Sequence, residues 1–359
     1  MTKHILVATD KMHVPDDHSG SAQTTHSLIL GLFEHGHSVD MLATLPEGGR
    51  HLAATISYRL SGRRYVPEWV DSAAGYRVQR GSQWRFAERV QRMLRKSAPH
   101  VLMLDSMRQL RNLAEAGVDV GCPIILFVHD VHFLKTPKAL PFNERVICIA
   151  NSPYTASIFA KHYAMEIEII PPIVHFERYR TSREAAKYVS MISPTEAKGV
   201  DTTLQLAAAL PHIPFLLIEG WPMDSRAWRN LSEQVSRLPN VELRRATGDM
   251  RTVYSQTKVL LVPSKTSVET FGRVVVEAQA SGIPVFARDV GALSWVVGDG
   301  GAVFRADAPT SQWESQLQDT LADSTIYDAL SRRASDNASR LEFQPIELVA
   351  TFERLIAAL

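Results

Sequence analysis

The sequence predicts an α/β protein built from two doubly wound domains. Three observations carry that expectation. Apolar strand-like runs alternate with helical patterns from end to end, as in parallel sheets covered by helices on both faces. The 359 residues are enough for two ordinary domains, and at 45% hydrophobic they can bury substantial cores. A Pro171-Pro172 pair interrupts the pattern within Ile167–Val174, a linker after which the same plan begins again.

In the first half the apolar runs His4–Asp10, Ser38–Ala43, His100–Asp105, Pro123–His129 and Arg145–Ala150 read as strands. Helical spacing places helices near Ser21–His35, Gln83–Ser97 and Pro153–His162. Residues 46–75 carry several Gly, Pro and Arg and read as an irregular loop or lid. In the second half strands are expected at Tyr188–Ile192, Phe215–Glu219, Val241–Arg245, Val259–Val262 and Pro284–Ala287. Helices are expected near Thr202–Leu210, Arg226–Leu238, Arg273–Ser281 and Ser311–Leu321, and the tail Pro345–Leu359 is amphipathic. Two such domains joined by one linker place a ligand in the cleft between them. The halves share architecture without an internal sequence repeat.

The bulk numbers exclude several classes. A formal net charge of +1 argues against a dedicated nucleic-acid binder. Cys122 and Cys148 both lie in apolar runs, which fits buried thiols in a reducing compartment better than a disulfide framework. The first ten residues are too strand-like for a signal peptide, and no apolar run approaches the roughly 20 residues of a spanning helix. A soluble cytoplasmic protein is expected. No Asp-x-Asp, Gly-x-Ser-x-Gly or Gly-x-Gly-x-x-Gly occurs, which weighs against a metal-dependent sugar transferase of the GT-A type, a nucleophile-elbow hydrolase and a dinucleotide fold.

The most informative stretch is Glu269-Thr270-Phe271-Gly272-Arg273-Val274-Val275-Val276-Glu277. Its second carboxylate sits in an apolar run, and a buried charge costs several kcal/mol unless compensated. A sugar diol compensates a carboxylate well, because it brings two donors to a group that only accepts. The bland alternative is an amphipathic helix with one exposed Glu and one capping Glu. The flanks are a strand, Val259-Leu260-Leu261-Val262, closed by Pro263-Ser264, and an exit, Ser281-Gly282-Ile283-Pro284-Val285.

This segment resembles the donor site of family 4 glycosyltransferases, retaining enzymes of the GT-B fold. Their pattern has two Glu flanking seven residues, Phe-Gly inside, and a Gly-x-Pro-Val exit. The resemblance runs over most of the chain and is strongest from Tyr188 to Phe304. It implies a GT-B fold with boundaries 1–172 for an acceptor-side domain, 173–342 for a nucleotide-sugar domain, and 343–359 for a last helix packing back on the first. It implies donor binding by Gly20, Lys198, Glu269, Thr270, Phe271, Gly272, Arg273 and Glu277, with Glu277 at the ribose, Glu269 at the transferred sugar, and helix-start N–H groups at the diphosphate. Catalytic roles fall by resemblance on His129, Glu269 and Lys198.

Lys198-Gly199 follows the strand Tyr188–Ile192, as the family's diphosphate-binding Lys-Gly does; otherwise it is a solvated loop lysine. The family's Arg just upstream is absent, since Ile192-Ser193 stand there. Arg273 pairs either with phosphate or with a carboxylate. Gly20 is what remains of the family's glycine-rich first loop, beside Asp16, Asp17 and His18, which face the ligand or form a plain polar loop. His129, at the end of a parallel strand, contacts the donor sugar by resemblance and is a structural strand cap otherwise. His132 adds only a weak metal spacing, and a structural zinc is rejected. The Arg244–Tyr254 loop lies over the nucleobase in the family, and in Gly291–Gly301 Trp295 stands where the family commonly has Glu.

Residues 59–96 hold ten Lys or Arg against Glu68, Asp71 and Glu88. Phe86, Val90, Met93 and Leu94 form a core stripe there, and the charged face is either solvated or suited, with Trp84, to an anionic acceptor or membrane surface. The resulting expectation is a metal-independent, cofactor-free transferase using a nucleotide-diphosphate sugar. Its acceptor is a glycan or glycolipid of bacterial surface polysaccharide synthesis, its location cytoplasmic or peripheral on the inner membrane face, with no nucleic-acid partner. The alternatives are a degenerate GT-B binding subunit, a nucleotide-sugar epimerase and an inverting transferase.

Overall fold

In a computed structural model of the chain, residues 2–45, 60, 68–105, 110–135, 145–265 and 269–359 are described. The chain forms two compact units, Met1–Ile173 with Pro345–Leu359, and Val174–Gln344.

The first unit is a sheet of strands β1 (His4–Ala8), β2 (Ser38–Thr44), β3 (Trp69–Asp71), β4 (Val78–Gly81), β5 (Val101–Leu104), β6 (Ile124–Val128), β7 (Val146–Ala150) and β8 (Glu168–Ile169). Among the described residues the order is β3-β4-β2-β1-β5-β6-β7-β8, parallel except for β3. Its inner strands are buried on both faces, so their residues alternate between two cores. Ile5 and Val7 of β1 pack in one with Leu28, Ile29 and Leu32 of α1 (Gly20–Glu34), while Leu6 and Ala8 pack in the other with Phe86, Val90 and Leu94 of α2 (Phe86–Ser97). That second core also holds Leu110, Leu113 and Ala114 of α3 (Leu110–Asp119) and Phe159 of α4 (Pro153–Tyr163). Each fully buried aliphatic or aromatic side chain contributes about 1.5–3 kcal/mol.

The last helix, α12 (Pro345–Ala358), closes the α1 side of this sheet. Leu348, Val349, Phe352 and Ile356 recur at helical spacing and enter the same core as Ile29. Glu353 accepts from His35 and His37 at 2.8 and 3.0 Å, tying the helix to the end of α1.

The loop expectation for 46–75 needs one correction. Trp69–Asp71 is an edge strand, held because Asp71 accepts from Arg80 of β4 at 2.7 Å. The remainder of that segment up to residue 67, Leu60 apart, lies outside the described residues.

The second unit carries β9 (Tyr188–Ile192), β10 (Phe215–Ile218), β11 (Val241–Arg244), β12 (Thr257–Val262), β13 (Val285–Arg288) and β14 (Gly301–Phe304) in the parallel order β11-β10-β9-β12-β13-β14. Around it lie α5 (Val200–Ala209), α6 (Ser225–Val235), α7 (Arg251–Tyr254), α8 (Arg273–Gln279), α9 (Leu293–Val297), α10 (Thr310–Ala322) and α11 (Ser324–Ala338). Because β10, β9 and β12 are neighbours, the loops leaving their carboxyl ends lie side by side. Those loops carry Glu219 and Trp221, Lys198, and Ser264 to Glu269 respectively.

Candidate functional site

In the second unit the loop after β9 turns sharply. Ser193 adopts a left-handed backbone (φ 58°), a conformation that non-glycine residues take only under constraint. Gly199 (φ +80°) then starts α5, and a Cβ there would lie 2.0 Å from the Pro263 carbonyl oxygen. The turn aims Lys198 at Glu269. The Lys198 ammonium pairs with Glu269 Oε1, and the Ser264 hydroxyl donates to the same oxygen at 2.8 Å. The Glu269 side chain is 9% exposed and that of Lys198 is 30% exposed, so the pair meets solvent mainly through the lysine. Glu269 is held from behind, since its carbonyl accepts from Ala292 N at 2.8 Å. It caps no helix, because α8 begins after Gly272, whose left-handed backbone (φ 90°) makes the cap.

Thr270 and Phe271 are buried between these groups. Phe271 packs edge-on against Trp295 and Phe343, with centroids 6.1 and 5.8 Å away. Trp295 therefore packs. The helix α8 starts directly after this segment, so its first-turn N–H groups lie at Gly272 and the residues that follow it.

Glu277 is buried among Val275, Val276 and Ala278, which removes the reading of an exposed amphipathic position. Its charge is compensated from within. The Tyr254 hydroxyl donates to Oε2 at 3.0 Å, and Arg273 Nε lies 3.4 Å from Oε1. Arg273 thus has a carboxylate beside it, and that carboxylate is the buried Glu277 of its own helix. Burial first, and the Glu277 charge second, push the phenols of Tyr254 and Tyr179 up, so both remain donors at neutral pH.

Sequence reasoning missed the groups around this pair. Trp221 is 47% exposed, with Lys198 Nζ 5.9 Å from its ring centroid. Glu219, nearly buried, accepts from Met223 N at 2.8 Å, Ala246 N at 3.2 Å and Arg245 Nη1 at 3.0 Å, so one carboxylate fastens the loops after β10 and β11. Hydrogen bonds from the Met223 amide lead the causes that hold it below the usual carboxylate range. Both residues follow a parallel strand's carboxyl end, and that rule alone would have flagged them.

In the first unit His129 leaves β6 with its backbone carbonyl accepting from Asn151 and its ring against Phe127, centroids 4.1 Å apart. Its Nε2 lies 3.4 Å from Asp105 Oδ1, and the Thr25 hydroxyl donates to Asp105 Oδ2 at 2.6 Å. Burial pushes the Asp105 carboxyl up to about 7 against the opposing pull of Lys11 and Thr25. Lys11 also pairs with Asp130 at 3.4 Å; burial works against its charge, and Asp105, Asp130 and Asp10 outweigh it, so its pKa is raised. Gly20 is the first residue of α1, whose cap is Ser19, accepting from Ala22 N at 3.3 Å. Asp17 accepts from Ser19, and Asp16 pairs with Arg80 at 3.4 Å.

The basic stretch needs a second correction. Arg80 and Arg89 do not lie on a solvated face; both are buried. Arg80 donates to the His13 and Val14 carbonyls and Arg89 to those of Ala43 and Gln79, satisfying backbone that the loops leave unpaired. Arg85 and Arg92 pair with Glu88 and Glu68, while Arg77, Arg95, Lys96 and Trp84 are exposed; Arg59, Arg63 and Arg64 lie outside the described residues. Cys122 and Cys148 are buried and unpaired with each other, their thiols pushed up by burial to about 11 and about 12. Among the described residues no cluster of His, Cys, Asp or Glu suits a metal ion, and no helix is long and apolar enough to cross a membrane; the side chain of His132 lies outside them.

Comparison with known proteins places these features in a family context. Residues 186–323 match the family model "Glycosyl transferases group 1". The D-inositol 3-phosphate glycosyltransferase of Segniliparus rotundus is 27% identical over 290 residues, 74% of this chain and 61% of that protein. The enzyme of the same name from Nocardia farcinica is 30% identical over 226 residues, 53% of this chain and 48% of its own length. The chain thus spans under two thirds of these relatives. Among solved structures, HepE of Anabaena in complex with UDP superposes with a TM-score of 0.78 at 15% identity, covering 100% of both chains. Sucrose-phosphate synthase from Thermosynechococcus elongatus gives 0.74 at 16% identity, covering 99% of this chain and 98% of that one. The fold is that of GT-B glycosyltransferases.

Proposed function

We propose that the chain is a family 4 retaining glycosyltransferase that moves a sugar from a nucleotide-diphosphate sugar to a hydroxyl of a glycan or glycolipid acceptor. The observation that carries this reading is the convergence of Lys198, Ser264 and Glu269 at the carboxyl ends of the neighbouring strands β9 and β12, with Glu277 following in α8. A cation and a carboxylate held together, with the cation partly exposed, suit a ligand that brings both a diphosphate and hydroxyl groups.

In this reading the donor exchanges partners with the pair. Lys198 turns to the diphosphate, where charge builds as the bond from the anomeric carbon to phosphate oxygen breaks and its electron pair stays on that oxygen. Glu269 accepts from hydroxyls of the transferred sugar, and Ser264 keeps it oriented. The acceptor oxygen bonds to the anomeric carbon from the face the phosphate leaves, and the departing phosphate takes the acceptor proton. No protein nucleophile and no resident metal is needed. His129 orients the sugar, and Gly20 lets backbone approach the donor. Glu277 accepts from the ribose diol.

Names borne by the relatives guide the substrates to try first. UDP and UDP-glucose, found with HepE, are the donor side, and D-inositol 3-phosphate is the small acceptor set beside glycans and glycolipids of surface polysaccharides. A peripheral contact with the cytoplasmic membrane face remains part of the reading, resting on Trp84, Arg95 and Lys96 now that Arg80 and Arg89 are internal. A second reading, inversion, has one observation in its favour: the buried Asp105–His129 pair is the kind of group that deprotonates an acceptor directly.

The test is a thermal-stability screen of the full chain with UDP, GDP, ADP, CMP and dTDP, repeated on Glu277→Ala, followed by transfer assays. A stabilisation by one nucleotide that Glu277→Ala abolishes, and a product whose anomeric configuration matches the donor, are expected. A ligand at a hundredfold excess over its Kd stabilises by roughly 2.7 kcal/mol. No stabilisation by any nucleotide would overturn the reading in favour of a binding subunit, and an inverted product would favour the second.

A further inference from the structure

We propose that Tyr254 is a positioning residue for nucleotide recognition: its hydroxyl, supported by Tyr179, sets the Glu277 carboxylate to accept the two ribose hydroxyls. The inference rests on the reading of Glu277 as the ribose acceptor and adds to it what holds that carboxylate in place.

Three segments far apart in sequence meet at one side chain. Tyr254 is the last residue of α7 and is wholly buried, with its hydroxyl 3.0 Å from Glu277 Oε2. Tyr179 sets its ring edge-on to Tyr254, centroids 6.3 Å apart, and its phenol lies within the field of both the Glu277 carboxylate and the Arg273 guanidinium. Arg273, one turn before Glu277, brings its Nε within 3.4 Å of the other oxygen, Oε1. The segment carrying Tyr179 is itself anchored two residues beyond α8, because Ser281 Oγ donates to the Tyr179 carbonyl at 3.2 Å and accepts from Thr181 N at 3.1 Å.

A glutamate has three side-chain torsions, and a diol asks for both its donors to be met at once. Free rotation would spread the carboxylate over orientations of which few match. Fixed donors on one edge of each oxygen remove that freedom before the ligand arrives. An ionised carboxylate has about four acceptor positions, so the protein's donors leave room for a diol. The same contacts admit a simpler role, in which Tyr254 merely compensates a buried charge. The two roles differ in what the phenol hydroxyl controls: the first predicts discrimination between ribose and deoxyribose, the second only stability.

The experiment measures calorimetric affinities of the full chain for UDP, GDP and ADP, each against its 2′-deoxy form, in wild type, Tyr254→Phe and Glu277→Ala. Wild type is expected to prefer the ribonucleotide by about tenfold, the worth of one hydrogen bond to a charged group. Glu277→Ala is expected to remove the preference. Tyr254→Phe is expected to reduce it to about threefold or less while the deoxynucleotide affinity stays as in wild type, since base and phosphate contacts are untouched. A full wild-type preference in Tyr254→Phe, with the preference gone in Glu277→Ala, overturns the inference and leaves the ribose reading standing. A preference that survives in Glu277→Ala overturns the ribose reading itself, and absence of binding by all three ribonucleotides overturns both. If Tyr254→Phe does not fold, Tyr179→Phe carries the same comparison, with the same two outcomes.

Discussion

The Lys198 ammonium rests on the Glu269 carboxylate, 71 residues further along the chain, and the Ser264 hydroxyl shares the same oxygen. Each of the two charges is therefore neutralised by the other before any ligand arrives. An anion that binds Lys198 must displace Glu269, and the carboxylate it displaces must find new donors. A nucleotide sugar offers both halves of that exchange, whereas a nucleoside diphosphate offers one.

Glu269→Gln separates the two halves. Removing the competing anion frees Lys198, so the diphosphate of UDP or another accepted nucleotide binds as well as in wild type or more tightly, measured by calorimetry. Sugar transfer by the same variant falls by about a hundredfold or more, the usual loss when an oriented charged group at the reacting centre is removed. A nucleotide affinity that drops as far as in Lys198→Ala would show that the pair does not compete with the ligand.

Gly199→Ala tests the turn that aims Lys198. The left-handed backbone (φ +80°) and the 2.0 Å approach to the Pro263 carbonyl leave no room for a methyl group. The variant is expected to lose about 2 kcal/mol or more of stability in denaturant melts, and nucleotide affinity with it. Unchanged stability would mean that the loop between β9 and α5 is not set by this contact.

The buried carboxyl of Asp105 makes stability depend on pH in a particular direction. Its folded pKa, about 7, stands above the ordinary aspartate value of 3.8. Between those values the folded state holds a proton that the unfolded chain has released. This group's contribution is therefore complete below about pH 4 and is lost as pH rises through 7. In Asp105→Asn, stability relative to wild type should improve from pH 5 to pH 8, by on the order of 1–4 kcal/mol in urea unfolding. An identical pH profile for both proteins would refute the burial argument.

The two interior guanidiniums should behave unlike their exposed neighbours. Arg80→Met strands Asp71 and the His13 and Val14 carbonyls, and is expected to cost about 3 kcal/mol or more. Arg95→Ala and Lys96→Ala, on the exposed side of α2, should each change stability by under about 0.5 kcal/mol. Equal effects at all of these positions in chemical denaturation would contradict the structural role assigned to Arg80.

Much of the fold was legible because its inner strands are buried on both faces. Runs such as Ile124–Val128 and Val259–Val262 have nothing but apolar residues to show, and alternation with helical spacing then identifies a parallel sheet. The edge strands were harder. Trp69–Asp71 has too little apolar character to stand out, and it is a strand because Arg80 holds Asp71 against β4. Among helices, α3, α9 and α11 went unpredicted; α9 is only five residues long, whereas α3 does bury Leu110, Leu113, Ala114 and Gly117 at helical spacing and could have been read.

What the sequence determined by itself were the local facts: the parallel sheets, the Lys-Gly and Phe-Gly turns whose glycines adopt left-handed backbones, and the pair of glutamates around Phe271-Gly272. Those depend on spacing and backbone sterics, which neighbouring residues settle. Only the tertiary structure decided partners. That Glu269 faces Lys198 and Ser264, that Glu277 is held by Tyr254 and Arg273, and that Arg80 and Arg89 are interior follow from contacts between residues distant in the chain. A charged side chain in a sequence carries no mark of burial. Its role is set by which donors and acceptors the folded backbone brings within about 3 Å of it, because only there do hydrogen bonding and desolvation outweigh hydration.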